Sequence, residues 1–130
     1  MKVQPSSKTI LVVEDDLDLQ NLLADKLKSE KAYEIYSASD GEEAVNLIVE
    51  KKPELVLLDL LLPKLDGFQV LQRIRTYPDE KIAKSKVVVL SNLWSNKDIL
   101  RAQALKIEEY LVKANTNVET VVERIRNLLK

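Results

Sequence analysis

Three runs of four apolar residues, Ile10-Leu11-Val12-Val13, Leu55-Val56-Leu57-Leu58 and Val87-Val88-Val89-Leu90, constrain the fold of this chain more than any other feature. A strand that is apolar at every position has no face to give to water, so each run predicts a strand buried on both sides, as at the centre of a parallel sheet covered by helices. Each run also stops abruptly: the first at Glu14-Asp15-Asp16, the second at Asp59, the third at Ser91-Asn92. Two weaker strands are predicted at Tyr33 to Ala38, interrupted by Glu34 and Ser37, and at the short Glu109 to Val112, and these belong at the sheet edges.

The segments between strands carry helical spacing. Leu19, Leu22, Leu23 and Leu27 form one expected stripe; Ala44, Leu47 and Ile48 follow an Asp40-Gly41-Glu42-Glu43 opening; Phe68, Leu71 and Ile74 follow Pro63 and Asp66-Gly67. That third helix should stop near Tyr77-Pro78, because the residue before proline is pushed out of helical geometry. Asp79 to Lys86 reads as a charged loop with some helical character. Ser95 with Asp98 opens a fourth helix, and Val118, Val121, Val122, Ile125, Leu128 and Leu129 mark a fifth. Five strands alternating with five helices predict an α/β chain with a doubly wound, five-stranded parallel sheet. With the apolar strands central, the order is 2-1-3-4-5, and its switch point lies between the first and third strands.

Composition narrows the chemistry. At 130 residues the chain is one domain, with residues 1–8 expected as a flexible tail and 9–130 as the domain. Twenty Lys and Arg against 21 Asp and Glu leave a net charge of −1, which gives no field to attract nucleic acid or an anionic membrane. The start of the chain lacks the apolar core of a signal peptide and no apolar run approaches a span, so a cytoplasmic protein is expected. The absence of Cys and His removes thiol chemistry, the commonest general base and the commonest metal ligand. What remains is carboxylates, lysine and hydroxyls.

Those groups converge. In the order 2-1-3-4-5, Glu14, Asp15 and Asp59 reach one crevice, with Ser91 and Lys113 at the ends of the fourth and fifth strands along the same edge. One acid is expected to cap the helix that follows, but three together repel unless a cation neutralises them. A hard divalent ion, Mg²⁺ above all, suits such a site. A carboxylate beside it can attack phosphorus and become an acyl phosphate, while Lys113 and Ser91 hold the other phosphoryl oxygens. Each residue alone has a plainer explanation, as a strand end, a turn or a solvated charge; the agreement of several strand ends favours the site.

Over residues 9 to 130 the sequence resembles the receiver domains of two-component response regulators. Val12-Val13-Glu14-Asp15 is similar to the family's acidic pair, Leu58-Asp59 with Pro63 and Asp66-Gly67 to its phosphoacceptor strand and turn, Leu90-Ser91 to its hydroxyl position, and Tyr110-Leu111-Val112-Lys113 to its switch aromatic and lysine. The resemblance implies a flavodoxin-like receiver fold in which Asp59 accepts a phosphoryl group from a phosphohistidine on a sensor histidine kinase or histidine phosphotransfer protein. It implies Mg²⁺ held chiefly by Asp15, partly by Glu14, and by Asp59 and the Leu61 backbone carbonyl. It further implies that Ser91 and Tyr110 switch together, altering the face of the fourth helix, fifth strand and fifth helix, near Trp94, which is expected to be a packing residue. The chain is expected to be a stand-alone, single-domain response regulator, a signalling phosphoacceptor in a phosphorelay rather than an enzyme, with output to a downstream protein and no direct contact with nucleic acid or membrane. Leu61 and Leu93 border the approach of a hydrolytic water in proteins of this resemblance, and apolar side chains there imply a slowly decaying phosphoryl group. Three positions depart from the pattern: Ala114 stands for proline, Lys106-Ile107 for Gly-Ala, and Asn92 for a small residue. Two rival functions are weaker. An aspartyl-nucleophile phosphohydrolase would want an acid at Leu61, and a phosphorylation-independent interaction module would not need Asp15, Asp59, Ser91 and Lys113 together.

Overall fold

The computed structural model describes residues 7–30 and 32–130. The elements run β1 (Lys8–Val13), α1 (Leu17–Lys28), β2 (Tyr33–Ala38), α2 (Gly41–Lys51), β3 (Leu55–Leu58), α3 (Gly67–Arg75), α4 (Glu80–Ala83), β4 (Lys86–Ser91), α5 (Asn96–Ala104), β5 (Glu109–Val112) and α6 (Val118–Leu128), with a 3₁₀ turn at Lys113–Asn115. All pairings are parallel and the order is β2-β1-β3-β4-β5, as the apolar pattern predicts. The expected tail falls largely outside the described residues, which begin at 7, and Lys8 already belongs to β1.

Alternation explains why the central strands are apolar throughout. Leu11, Val13, Val56, Leu58, Val87 and Val89 face one layer, where Ala44, Ile48, Phe68, Leu71, Ile74 and Ala102 of α2, α3 and α5 cover them. Ile10, Val12, Leu55, Leu57, Val88 and Leu90 face the other, against Leu23 and Leu27 of α1 and Val121, Val122 and Ile125 of α6. Successive side chains of a strand point to opposite faces, so a sheet with two covered faces needs both sets apolar.

Two local expectations change. In α1 the buried stripe is Gln20, Leu23, Ala24 and Leu27, while Leu22 is exposed. Of the expected Leu19, Leu22, Leu23 and Leu27, only Leu22 faces out, and the spacing i, i+3, i+4, i+7 is completed by the polar Gln20. The charged stretch after Pro78 contains a one-turn helix, α4, capped by Asp79 and burying Ile82. Among the described residues there are therefore six α-helices, and the face expected on the fourth helix, fifth strand and fifth helix is α5–β5–α6.

Below the sheet, Arg75 at the end of α3 gathers the entries to β4 and β5. Its guanidinium donates to the carbonyls of Leu105 (2.7 Å), Ala83 (2.9 Å), Ser85 (2.8 Å) and Lys106 (2.7 Å). Lys106 sits there at φ 62°, the left-handed region where glycine is the easier residue. The two glycines serve another purpose. A Cβ on Gly41 would collide with the Leu65 carbonyl, and one on Gly67 with the Asp59 carbonyl, so both admit the loop between β3 and α3 at close range. Asp66 caps α3 reciprocally with Gln69, fixing where that loop ends.

Candidate functional site

The upper, carboxyl-end edge of the sheet brings Glu14, Asp15, Asp59 and Lys113 into one cluster. Glu14 and Asp15 leave β1 and Asp59 leaves β3, its neighbour; the Asp59 amide still donates to the Val13 carbonyl at 3.1 Å, so the two exits are locked in register. Glu14 and Asp59 are buried, at 2 % and 3 % exposure, whereas Asp15 is exposed. One carboxylate oxygen from each lies within 4.8 Å of the others.

Lys113 answers them. Its Nζ lies 2.7 Å from Asp59 Oδ2 and 2.7 Å from Glu14 Oε1. Asp59 Oδ1 accepts the Leu61 amide at 3.1 Å, and Glu14 Oε2 accepts that of Asp16 at 3.1 Å. Burial pushes the Glu14 carboxyl above the ordinary carboxylate range, against the opposing pull of its Lys113 and Asp16 hydrogen bonds. Burial also draws the Lys113 ammonium down, but its bonds to Asp59 and Glu14 outweigh this and hold it above the usual lysine value. Three carboxylates facing one ammonium leave two formal negative charges uncompensated, a deficit that a divalent cation matches.

Asp16 is the acid that caps α1: its Oδ1 accepts the amides of Asp18 (3.1 Å) and Leu19 (3.2 Å). That frees Glu14 and Asp15 for the crevice. Ser91 closes β4, fully buried, with its Oγ accepting the Leu93 amide at 3.4 Å. The Tyr110 hydroxyl donates to the Leu93 carbonyl at 2.6 Å, so the hydroxyl position and the aromatic of β5 share one loop. Leu61 is 52 % exposed, and Leu93 is half-buried against the layer of α2, α3 and α5. Trp94, expected as a packing residue, is instead 72 % exposed, because the loop turns it away from the layer that Leu93 joins. No cis peptide occurs among the described residues, so Lys113–Ala114 is trans.

One supporting residue escaped the sequence reading. Gln20 Nε2 donates to the carbonyls of Glu14 (2.8 Å) and Ala38 (3.0 Å) and to Ser39 Oγ (3.1 Å), tying α1 to the ends of β1 and β2 directly behind the acids. Its place on the buried spacing of α1 was the available signal.

Comparison with known proteins agrees with this geometry. The family model described as the response regulator receiver domain matches residues 10–126. The chain is 36 % identical over 125 residues to the probable transcriptional regulator ycf27 of Cyanophora paradoxa, covering 96 % of this chain and 49 % of that protein. It is 36 % identical over 121 residues to the DNA-binding dual master transcriptional regulator RpaA of Synechocystis sp., covering 93 % of this chain and 48 % of that one. The chain thus spans about half the length of the curated relatives it matches. Among solved structures, the BeF3-activated N-terminal receiver domain of Klebsiella pneumoniae RstA superposes with a TM-score of 0.81 at 27 % identity, over 94 % of this chain and 98 % of that chain. A family match across nearly the whole length, on a five-stranded sheet of order 2-1-3-4-5, places this protein among the response regulator receiver domains.

Proposed function

We propose that this receiver domain accepts a phosphoryl group on Asp59 from the phosphohistidine of a sensor histidine kinase or a histidine phosphotransfer protein, in the cytoplasm, and signals through α5–β5–α6. The observation that carries the proposal is the double contact of Lys113 Nζ, 2.7 Å from each of two buried carboxylates, in a crevice whose acidic oxygens lie within 4.8 Å of one another. An Asp59 oxygen attacks phosphorus, the P–N bond breaks, and the imidazole nitrogen leaves with the bonding pair. Lys113 is placed to neutralise a phosphoryl oxygen and Ser91 to donate to another. Glu14, Asp15, Asp59 and the Leu61 carbonyl would hold Mg²⁺, which when bound supplies positive charge to the transferring group.

Ser91 and Tyr110 are the proposed switch, since both bond the backbone of Leu93. Movement of Ser91 toward a phosphoryl group would disturb the carbonyl that Tyr110 holds, and the exposed Trp94 next door would report it by fluorescence. For these 130 residues the balanced charge argues against direct nucleic-acid contact. RpaA, at about twice the length, is named as DNA-binding, and an output of that kind would belong to sequence beyond the region matched here.

The test is incubation with a small phosphodonor and Mg²⁺, followed by intact mass measurement. One phosphoryl adduct is expected on the parent and none on Asp59→Asn, an isosteric amide that lacks the anionic nucleophile. Equal uptake by both would assign the acceptor elsewhere.

A further inference from the structure

Two of the positions that depart from the family pattern, Asn92 and Ala114, are joined. The 3₁₀ turn at Lys113–Asn115 begins with amides that have no partner inside the turn, and the residue before it, Val112, carries no side chain able to cap them. The Ala114 N–H instead donates to Asn92 Oδ1 at 3.1 Å, across from the neighbouring strand exit. Pairing of β4 with β5 runs out at Ser91 and Val112, so this bond is made immediately beyond the sheet. Asn92 follows Ser91 in the chain and Ala114 follows Lys113. A single carboxamide therefore links the residue after the hydroxyl position to the backbone of the residue after the ammonium position.

We propose that Asn92 is a positioning residue for Lys113: it caps, from the adjacent loop, the turn from which the lysine reaches Asp59 and Glu14. A lysine side chain is long and flexible, and its tip is held here by two carboxylates. Its base is held by the turn. When the cap is lost the turn frays, the ammonium samples more positions, and less of it stands where a phosphoryl oxygen arrives. The same bond couples the loop of Ser91 to the turn of Lys113, so displacement of one strains the other. A proline at position 114 has no N–H, and the cap then has nothing to hold; Asn92 matters only because residue 114 can donate.

The catalytic consequence rests on the proposed phosphoryl acceptance, whereas the cap itself does not, and the experiment separates them. Amide exchange of Ala114 is followed by NMR in the full 130-residue chain, without donor, in the parent, Asn92→Ala and Asn92→Asp. Loss of an exposed hydrogen bond predicts exchange about three- to tenfold faster in Asn92→Ala. Asn92→Asp keeps the accepting oxygen and should exchange as the parent does. Uptake from acetyl phosphate with Mg²⁺ is then timed in the same proteins, in Ala114→Pro and in the double variant. Asn92→Ala should slow uptake by a similar factor, Asn92→Asp should restore it, and Asn92→Ala should add nothing in the Ala114→Pro background. Unchanged Ala114 exchange in Asn92→Ala, uptake as slow in Asn92→Asp as in Asn92→Ala, or full additivity with Ala114→Pro would each overturn the proposal. A parent that takes up no phosphoryl group would refute the proposed function instead, and the exchange rates would still decide the cap.

Discussion

The two ends of the sheet each hold a partly buried cation, and they hold it in opposite ways. At the lower end the Arg75 guanidinium is surrounded by four backbone carbonyls. At the upper end the Lys113 ammonium is shared by two carboxylates, with a third acid within reach. Carbonyls are neutral and fixed in the backbone, so the arginine satisfies them permanently and leaves no charge to be traded. Carboxylates carry charge of their own, and one lysine cannot cancel three of them. The same requirement, that buried polar groups find partners, thus gives a rivet at one end and an exchangeable ionic site at the other.

The largest effect is expected at the rivet. Arg75→Met leaves four carbonyls without their donor and should lower stability by about 3 kcal/mol, with no recovery on adding Mg²⁺. Chemical denaturation with and without the ion would measure it, and recovery by Mg²⁺ would break the contrast. Lys113→Met should cost about 2 kcal/mol at neutral pH, less than a fully buried pair would because the lysine retains some exposure. Here Mg²⁺ should restore part of the loss. The sign with pH follows from the raised Lys113 value: the stabilisation is complete below the unfolded lysine value of 10.5 and fades as pH climbs through the higher folded value. The parent and Lys113→Met should therefore converge in strong alkali, and a gap that persists there would mean that the lysine acts through packing.

Phosphoryl lifetime distinguishes the ends as well. If Leu61 and Leu93 border the approach of a hydrolytic water, the phosphorylated parent should decay slowly, and Leu61→Asn or Leu93→Glu should quicken decay about tenfold by giving a water something to bind. Arg75→Lys should leave the decay rate alone. Decay measured by mass after donor removal decides this, and polar variants that decay no faster would sink it. The smallest effect sharpens the lower end: Lys106→Gly relieves a left-handed residue whose carbonyl Arg75 holds, and should raise stability by about 0.5–1 kcal/mol. A loss instead would show that the lysine side chain contributes more than its backbone strain removes.

The sequence disclosed these two ends unequally. The upper one was legible because parallel topology turns strand endings into a list of site residues: Glu14, Asp15, Asp59, Ser91 and Lys113 could be read off the ends of four strands. Even the capping role of Asp16 was foreseen as belonging to one of the acids. The lower end was not legible, since Arg75 binds backbone carbonyls, and carbonyls carry no signature in a sequence. Gln20 was missed for a similar reason, its partners being two carbonyls and one hydroxyl. The exposure of Leu22 and Trp94 shows the converse limit, that an apolar side chain is no guarantee of an inward one.

Glycine occurs only twice in this chain, at 41 and 67, and neither residue has a positive φ. Among the described residues the backbone turns left-handed at positions 52, 64 and 106, and lysines stand there instead. Glycine is therefore used here for missing bulk rather than for freedom of the backbone, and both instances border the loop that leaves Asp59. In the language of inheritance, this creates two sites of near-absolute intolerance that carry no reactive group. As such a chain drifts through generations, the exposed residues of the loop can be exchanged one after another. Positions 41 and 67 resist any exchange that adds a side chain, because their only trait is the space they leave empty.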